Sequence, residues 1–198
     1  MKIEQYKHPD EKVLWTGKPN KRVFLKERIF SPFLIIALVW GTIDFGMIFG
    51  VILANDIPIP LYFIIPFFFI HLAPLWLYIL RVIFSFFEWK HLEYMVTDKA
   101  VCCLGGVFTV NFVRKTFQEI TNTSVHQGIF DRMHQVGDVF VISGRSSINI
   151  IDIVDYMEVY QLISKTGQDI FADTMYPNDL RPKENHGYKT EYTPEIKK

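Results

Sequence analysis

Polar residues all but disappear from this chain between residues 29 and 87. Within that stretch, 32–54 reads PFLIIALVWGTIDFGMIFGVILA, about 23 residues with a single charge. As a helix it is long enough to cross a hydrocarbon core of ~30 Å. Ser31 and Pro32 suit its start, the serine as cap and the proline at the first helical position. NDIPIP at 55–60 is a turn, and 61–87, LYFIIPFFFIHLAPLWLYILRVIFSFF, is long enough to return. Neither run shows the polar stripe that a soluble helix of such length carries. The pattern predicts a two-helix transmembrane hairpin over 29–87, with spans at about 32–54 and 61–87. A cleavable signal peptide is not expected. About 28 mostly polar residues precede the first apolar run, and no small-residue cleavage site follows it.

Past Leu92 the period changes to two. HLEYMVT alternates, with Leu92, Tyr94 and Val96 on one face, and DK follows as a turn. AVCCL, a GG turn, VFTVNFV and RKTFQEI continue as short strands, and DVFVISG and SINIIDI pair about GRSS. QGIFDRMHQVG between them reads as an irregular helical turn. Asp155 caps a closing amphipathic helix, with Met157, Tyr160, Ile163 and Phe171 as its apolar candidates. Six or seven strands closed by one helix predict a small rolled barrel. The chain then divides into 1–28, a cytoplasmic N-terminal segment; 29–87, the hairpin; 88–172, the β-rich domain; and 173–198, a polar tail expected to be disordered.

Composition sharpens this division. Hydrophobic residues make up 49% of the chain and Phe alone has 18 copies, most of the excess lying between 29 and 87. The formal net charge is +0, which gives no support to a nucleic-acid partner. Cys102 and Cys103 are adjacent, so on a strand they point to opposite faces and are poorly placed to bond each other. They read as ordinary strand residues. Lys18, Lys21, Arg22, Lys26 and Arg28 precede the first span, and Arg81, Lys90 and Lys99 lie at or after the end of the second. The connecting turn carries only Asp56. Positive residues are retained on the cytoplasmic side, so the expectation is a multi-pass protein of the cell membrane with both termini cytoplasmic.

Two ionisable residues fall near mid-span, Asp44 and His71. Their depths in an antiparallel hairpin match to within about 2 Å at 1.5 Å rise per residue. A lone carboxylate in hydrocarbon is costly, so the two are expected to face each other and pin the helices together. Pro66 and Pro74 should kink the second span, and Gly46 and Gly50 form a GxxxG spacing that would admit another helix.

Catalysis finds no support. Ser124 and His126 are close in sequence but have no identifiable oxyanion donors, and LGGVF and SGRSS precede strands rather than helices. His126, Asp131 and His134 fit no recognised metal spacing, so no metal and no cofactor is expected. Binding surfaces remain. Lys18, Lys21, Arg22, Lys26 and Arg28, with Arg114 and Lys115, sit where anionic headgroups would lie, each contributing about 1 kcal/mol, although their plainer role is to hold orientation.

EKVLWTGKP at 11–19, two spans, YMVTDKAVCCLGGVFTVN, QEITNTSVHQGIFDRMHQVGDVFVIS and IVDYMEVYQLI occur in an order that resembles the bacterial membrane-associated pleckstrin-homology-like (PH-like) family. The shared residues are Glu11, Leu14, Trp15, Gly17 and Pro19; Tyr94, Val96, Thr97 and Asp98; and Gly137, Asp138 and Val139. One departure stands out: the position before Val136 commonly holds Gly and here holds Gln135. The resemblance implies an α+β fold, a two-helix transmembrane hairpin followed by a PH-like β-roll capped by a C-terminal helix. It implies no catalysis. The expected function is a membrane-anchored binding or scaffold module that presents a cytoplasmic surface to a protein or lipid partner, the contacts being membrane lipids and a protein partner or homo-oligomer. The alternative is an accessory subunit of a membrane transport complex using the Asp44/His71 pair. Fold alone does not carry function across, so phosphoinositide binding is not inferred.

Overall fold

The structure is a computed structural model that describes residues 2–53, 61–144 and 146–175. In chain order its elements are a 3-10 turn, Ile3–Tyr6; β1, Val13–Gly17; α1, Lys21–Ile29; α2, Pro32–Leu53; α3, Leu61–His71; α4, Ala73–His91; β2, Glu93–Thr97; β3, Ala100–Gly105; β4, Asn111–Thr116; β5, Asn122–His126; α5, Ile129–His134; β6, Gly137–Ser143; β7, Ser146–Ile153; and α6, Tyr156–Met175. They fall into two units, Leu25–Phe87 and the remainder of the chain. The turn predicted at 55–60 and the tail from 176 on lie outside the described residues.

In the apolar unit, α2 is one unbroken helix, and Pro32–Gly50 is long and apolar enough to cross a membrane. Ile35, Val39, Phe45 and Phe49 are exposed while Asp44 is fully buried, the reverse of a water-soluble helix. Ser31 precedes Pro32 as predicted, but its buried Oγ has no hydrogen-bond partner, so it does not cap through its side chain. The return run, expected as one kinked span over 61–87, consists of two helices. Tyr62–His71 and Ala73–His91 meet at a bend of 53°. Pro74 has no amide hydrogen to give the carbonyl of Ile70, and helical backbone is disfavoured just before a proline. The chain responds at Leu72, whose carbonyl takes the amides of both Leu75 and Trp76. Pro66 stays inside α3. The expected hairpin, with its kinked second span, thus stands as one apolar helix and one pair bent beside Pro74.

In the β-rich unit, β1 to β4 form an antiparallel sheet in sequence order, and β5 to β7 form a second. The N-terminal segment, which the sequence reading kept apart, supplies β1. Both faces of the first sheet are covered. Tyr94, Val96 and Val101 enter a core with Val139, Val141, Ile148 and Ile150 of the second sheet and Val159, Ile163 and Ile170 of α6. Each such aliphatic side chain contributes ~1.5–3 kcal/mol on burial. On the opposite face Met95, Ala100, Cys102 and Leu104 pack beneath Ile3, with Tyr6 stacked on Phe112 at 4.9 Å between ring centroids. Cys102 and Cys103 therefore do face opposite ways, each in a different cluster, and both are free thiols. Burial pushes Cys102 up to about 12 and Cys103 to about 11.

α6 lays Val159, Ile163 and Ile170 on the sheets; Met157 and Phe171, expected on that face, are exposed. Asp155 stands before its first turn, but one of its carboxylate oxygens accepts from Trp15 Nε1. The second sheet carries a bulge where β7 meets the start of β6, at Asp152, whose φ is 55°.

Candidate binding site

α6 crosses the second sheet beside β5, whose outer edge has no strand neighbour among the described residues. Between them runs a groove of about 690 Å³. Phe117, Ile120 and Phe171 give it apolar surface; Asn122, Thr123 and Gln168 give it hydrogen-bonding groups. Among the described residues, no Asp, Glu, Lys or Arg lines it. Gly167 leaves α6 thin here: a Cβ there would sit 3.7 Å from Phe117, in ordinary contact. Nothing in the sequence marks these residues as a set. The two halves of the groove lie about 40 residues apart, and each reads alone as an ordinary strand or helix margin.

The basic residues proposed from sequence fare differently. Lys18 Nζ lies 2.8 Å from Glu93, and Arg114 is paired with the buried carboxylate of Glu11. Lys21 sits 5.1 Å over the ring of Trp89, Arg22 is exposed, and Lys115 is half-buried on β4. Lys26 and Arg28 belong to the last turn of α1, in the other unit. Lys18 and Arg114 are each neutralised locally, which leaves them poorly available to a headgroup.

Asp44 and His71 come together. Asp44 Oδ1 and His71 Nδ1 share a hydrogen bond of 2.7 Å. Phe67 stacks on the same imidazole at 5.2 Å between ring centroids, Trp40 packs tilted against it at 5.2 Å, and Trp40 Nε1 donates to the His71 carbonyl at 2.8 Å. That carbonyl lies at the break, where the Leu75 amide has turned to Leu72 instead. A side chain from α2 thus satisfies a backbone group that the bend set free. Asp44 Oδ2 is buried without a hydrogen-bond partner. Around Gly46 and Gly50 no described atom lies within 4 Å of an added Cβ, so the GxxxG face makes no close contact within the described chain.

A third constellation was not expected in this form. His126 ends β5 and stands directly across the ladder from Asp138 of β6, with Nδ1 and Oδ2 3.8 Å apart. Asp131, in the first turn of α5, joins them; His134 does not. Burial pushes Asp138 above its ordinary value; the Asp152 amide opposes this and the carboxylate of Asp131 adds to it.

The residues that carried the family resemblance are structural. Glu11 pairs with Arg114, and the indole of Trp15 lies so close to Gly17 that a Cβ there would come within 2.3 Å of it. The Pro19 carbonyl accepts from Trp89 Nε1 at 2.9 Å. Thr97 Oγ1 accepts the amide of Ala100 at 3.0 Å, and Asp98 Oδ1 that of Lys12 at 2.9 Å. Gly137 lies against Tyr156, and Asp138 Oδ1 accepts the amide of Asp152 in the bulge. Gln135, the departure, has φ 56° and ψ 37°, the left-handed conformation that explains why glycine is common there.

Two antiparallel sheets are closed by a C-terminal helix, and the strand edge beside that helix has no strand neighbour among the described residues. The Bacterial PH domain family matches over residues 31–166, well over half the chain, and the chain belongs to that family. No curated protein matches it, and no solved structure does.

Proposed function

We propose that this chain is a membrane-anchored PH-like binding module. Its apolar helices hold it in the cell membrane with both termini cytoplasmic, and its β5–α6 groove takes an uncharged segment of a protein partner, without catalysis. The observation that carries the reading is the groove itself: about 690 Å³, with apolar and neutral polar lining and, among the described residues, no cation for a phosphate headgroup. The free edge of β5 adds a row of backbone donors and acceptors that an extended segment would pair with. Anchoring is supported by the exposed apolar side chains of α2 around a buried Asp44.

The test places a photo-reactive amino acid at Phe171, exposed in the groove, and at Val154, exposed outside it, in the full chain in native membranes. A discrete adduct from Phe171 that is absent at Val154, and lost when Gly167→Trp fills the groove, is expected. Equal adducts from both positions, or an adduct indifferent to Gly167→Trp, would refute the groove. Anchoring is tested separately by alkaline carbonate extraction and by impermeant labelling of cysteines added at either terminus. The native thiols stay silent because burial raises both far above neutral pH. Labelling from outside intact cells would refute the orientation.

The buried Asp44 oxygen without a partner favours a second reading, an accessory subunit of a transport complex. It requires ion flux in reconstituted vesicles that Asp44→Asn abolishes.

A further inference from the structure

The connection between β5 and β6 folds three potential metal donors into one place. Donor atoms of His126, Asp131 and Asp138 all lie within 4.8 Å of one another. The fold creates this meeting: His126 and Asp138 are cross-strand partners at the end of the ladder, and the short α5 returns Asp131 onto them.

Each carboxylate is half engaged. Asp138 Oδ1 accepts the Asp152 amide at 2.9 Å, which leaves Oδ2 turned toward His126. Asp131 Oδ2 accepts the Gly128 amide at 2.7 Å, while Oδ1 is buried and has no hydrogen-bond partner. Asp131 is only 1% exposed. A buried carboxylate oxygen with nothing to accept from is costly, the more so beside a second carboxylate. The His126 side chain is 63% exposed and stands on the solvent side of the two carboxylates. The backbone amides on the spare oxygens fix the carboxylates from behind, as outer-shell partners do in metal sites.

We propose that His126, Asp131 and Asp138 bind a divalent first-row transition-metal ion, with Mn²⁺ and Zn²⁺ as its chemical class. One imidazole and two carboxylates match that class; the absence of thiolate excludes soft Cu(I), and the imidazole disfavours Ca²⁺ and Mg²⁺. Two negative charges meet a dication. Ligand bonds of roughly 2.0–2.2 Å require donors about 3 Å apart, so the ion draws the exposed imidazole inward while the two anchored carboxylates hold still. Water fills the remaining positions on the solvent side. The bound ion ties β5, α5 and β6 together at one end of the second sheet.

The experiment uses the full chain in detergent, stripped with EDTA and dialysed. MnCl₂ is titrated and free Mn²⁺ is read by electron paramagnetic resonance; ZnCl₂ is added to a parallel thermal melt. The expected result is one Mn²⁺ per chain with a dissociation constant below about 0.1 mM, and a melting temperature raised by Zn²⁺. His126→Ala removes an exposed ligand and leaves the core intact; it should weaken Mn²⁺ binding at least about tenfold and abolish the Zn²⁺ shift. Asp131→Asn keeps an acceptor for Gly128 and should weaken binding similarly. No Mn²⁺ binding up to about 1 mM, or binding and a Zn²⁺ shift unchanged in a folded His126→Ala chain, would overturn the proposal.

Discussion

Two neighbouring positions in the QVG stretch should respond in opposite directions to substitutions that look alike. Gln135 is exposed and left-handed, φ 56°, so its side chain contributes little while its Cβ costs about 1 kcal/mol in that conformation. Gln135→Gly removes that cost and adds some unfolded-chain entropy, for a net stabilisation of about 0.5 kcal/mol. Gly137 does not have a positive φ, and backbone entropy alone would favour Gly137→Ala by ~0.4–1 kcal/mol. But the new Cβ would sit 2.8 Å from Tyr156 Cγ and 2.9 Å from Cδ2. Cγ is the root of the ring, so relief has to move the first turn of α6. Such overpacking costs ~1–3 kcal/mol, and the net is a loss of about 1–2 kcal/mol. Hydrogen exchange of β6 and β7 amides in the full chain reads this locally, free of the apolar unit. Gln135→Gly should slow the most protected amides about twofold, and Gly137→Ala should accelerate them roughly 5–30-fold. Slower exchange in Gly137→Ala would show that Tyr156 yields freely and that the packing argument is wrong. Faster exchange in Gln135→Gly would refute the left-handed backbone.

Three further outcomes follow from the same contacts. Glu11→Gln strips the charge from a nearly buried carboxylate paired with Arg114 and should cost ~2–4 kcal/mol in chemical unfolding; a loss near zero would make the pair dispensable. Burial works against the charge of Glu93, but bonds from Lys18 and the Ile3 amide outweigh it, and its pKa is held below the ordinary 4.5. Its charge therefore stabilises the fold above that value and ceases to do so as pH falls through the depressed one. The stability gap between wild type and Glu93→Gln should be full at pH 7 and close in acid; a gap independent of pH would refute this. Trp40→Phe keeps the ring over His71 but leaves its carbonyl without the indole donor, and should destabilise the apolar unit by ~1–3 kcal/mol in a detergent-denaturation titration. An unchanged midpoint would show that the break at Leu72 needs no such support.

Signals that are local in the chain survive into the fold, and signals that depend on a distant partner do not. The apolar run at 32–54 announces α2 because length and hydropathy need no partner, and Pro74 announces a disturbance because it lacks an amide hydrogen wherever it sits. The alternation of Tyr94 and Val96 marks a strand, yet Met95 on the other face is fully buried too. Its cover is Ile3, more than 90 residues earlier, and nothing near Met95 foretells it. α6 misleads for the same reason: Met157 and Phe171 fit a helical stripe, but the sheets select Val159, Ile163 and Ile170. The site follows this division further. Glu11, Trp15, Gly17, Thr97, Asp98, Gly137 and Asp138, the residues that make the family legible, are engaged in holding strands, turns and a bulge. They identify the scaffold because the scaffold's geometry constrains them. The groove along β5 is built from threonine, asparagine, glutamine and scattered apolar residues, which many sequences would supply without changing the fold. A scaffold of this kind can keep its frame while the residues along the groove change, so the frame is legible in the sequence and the groove is not.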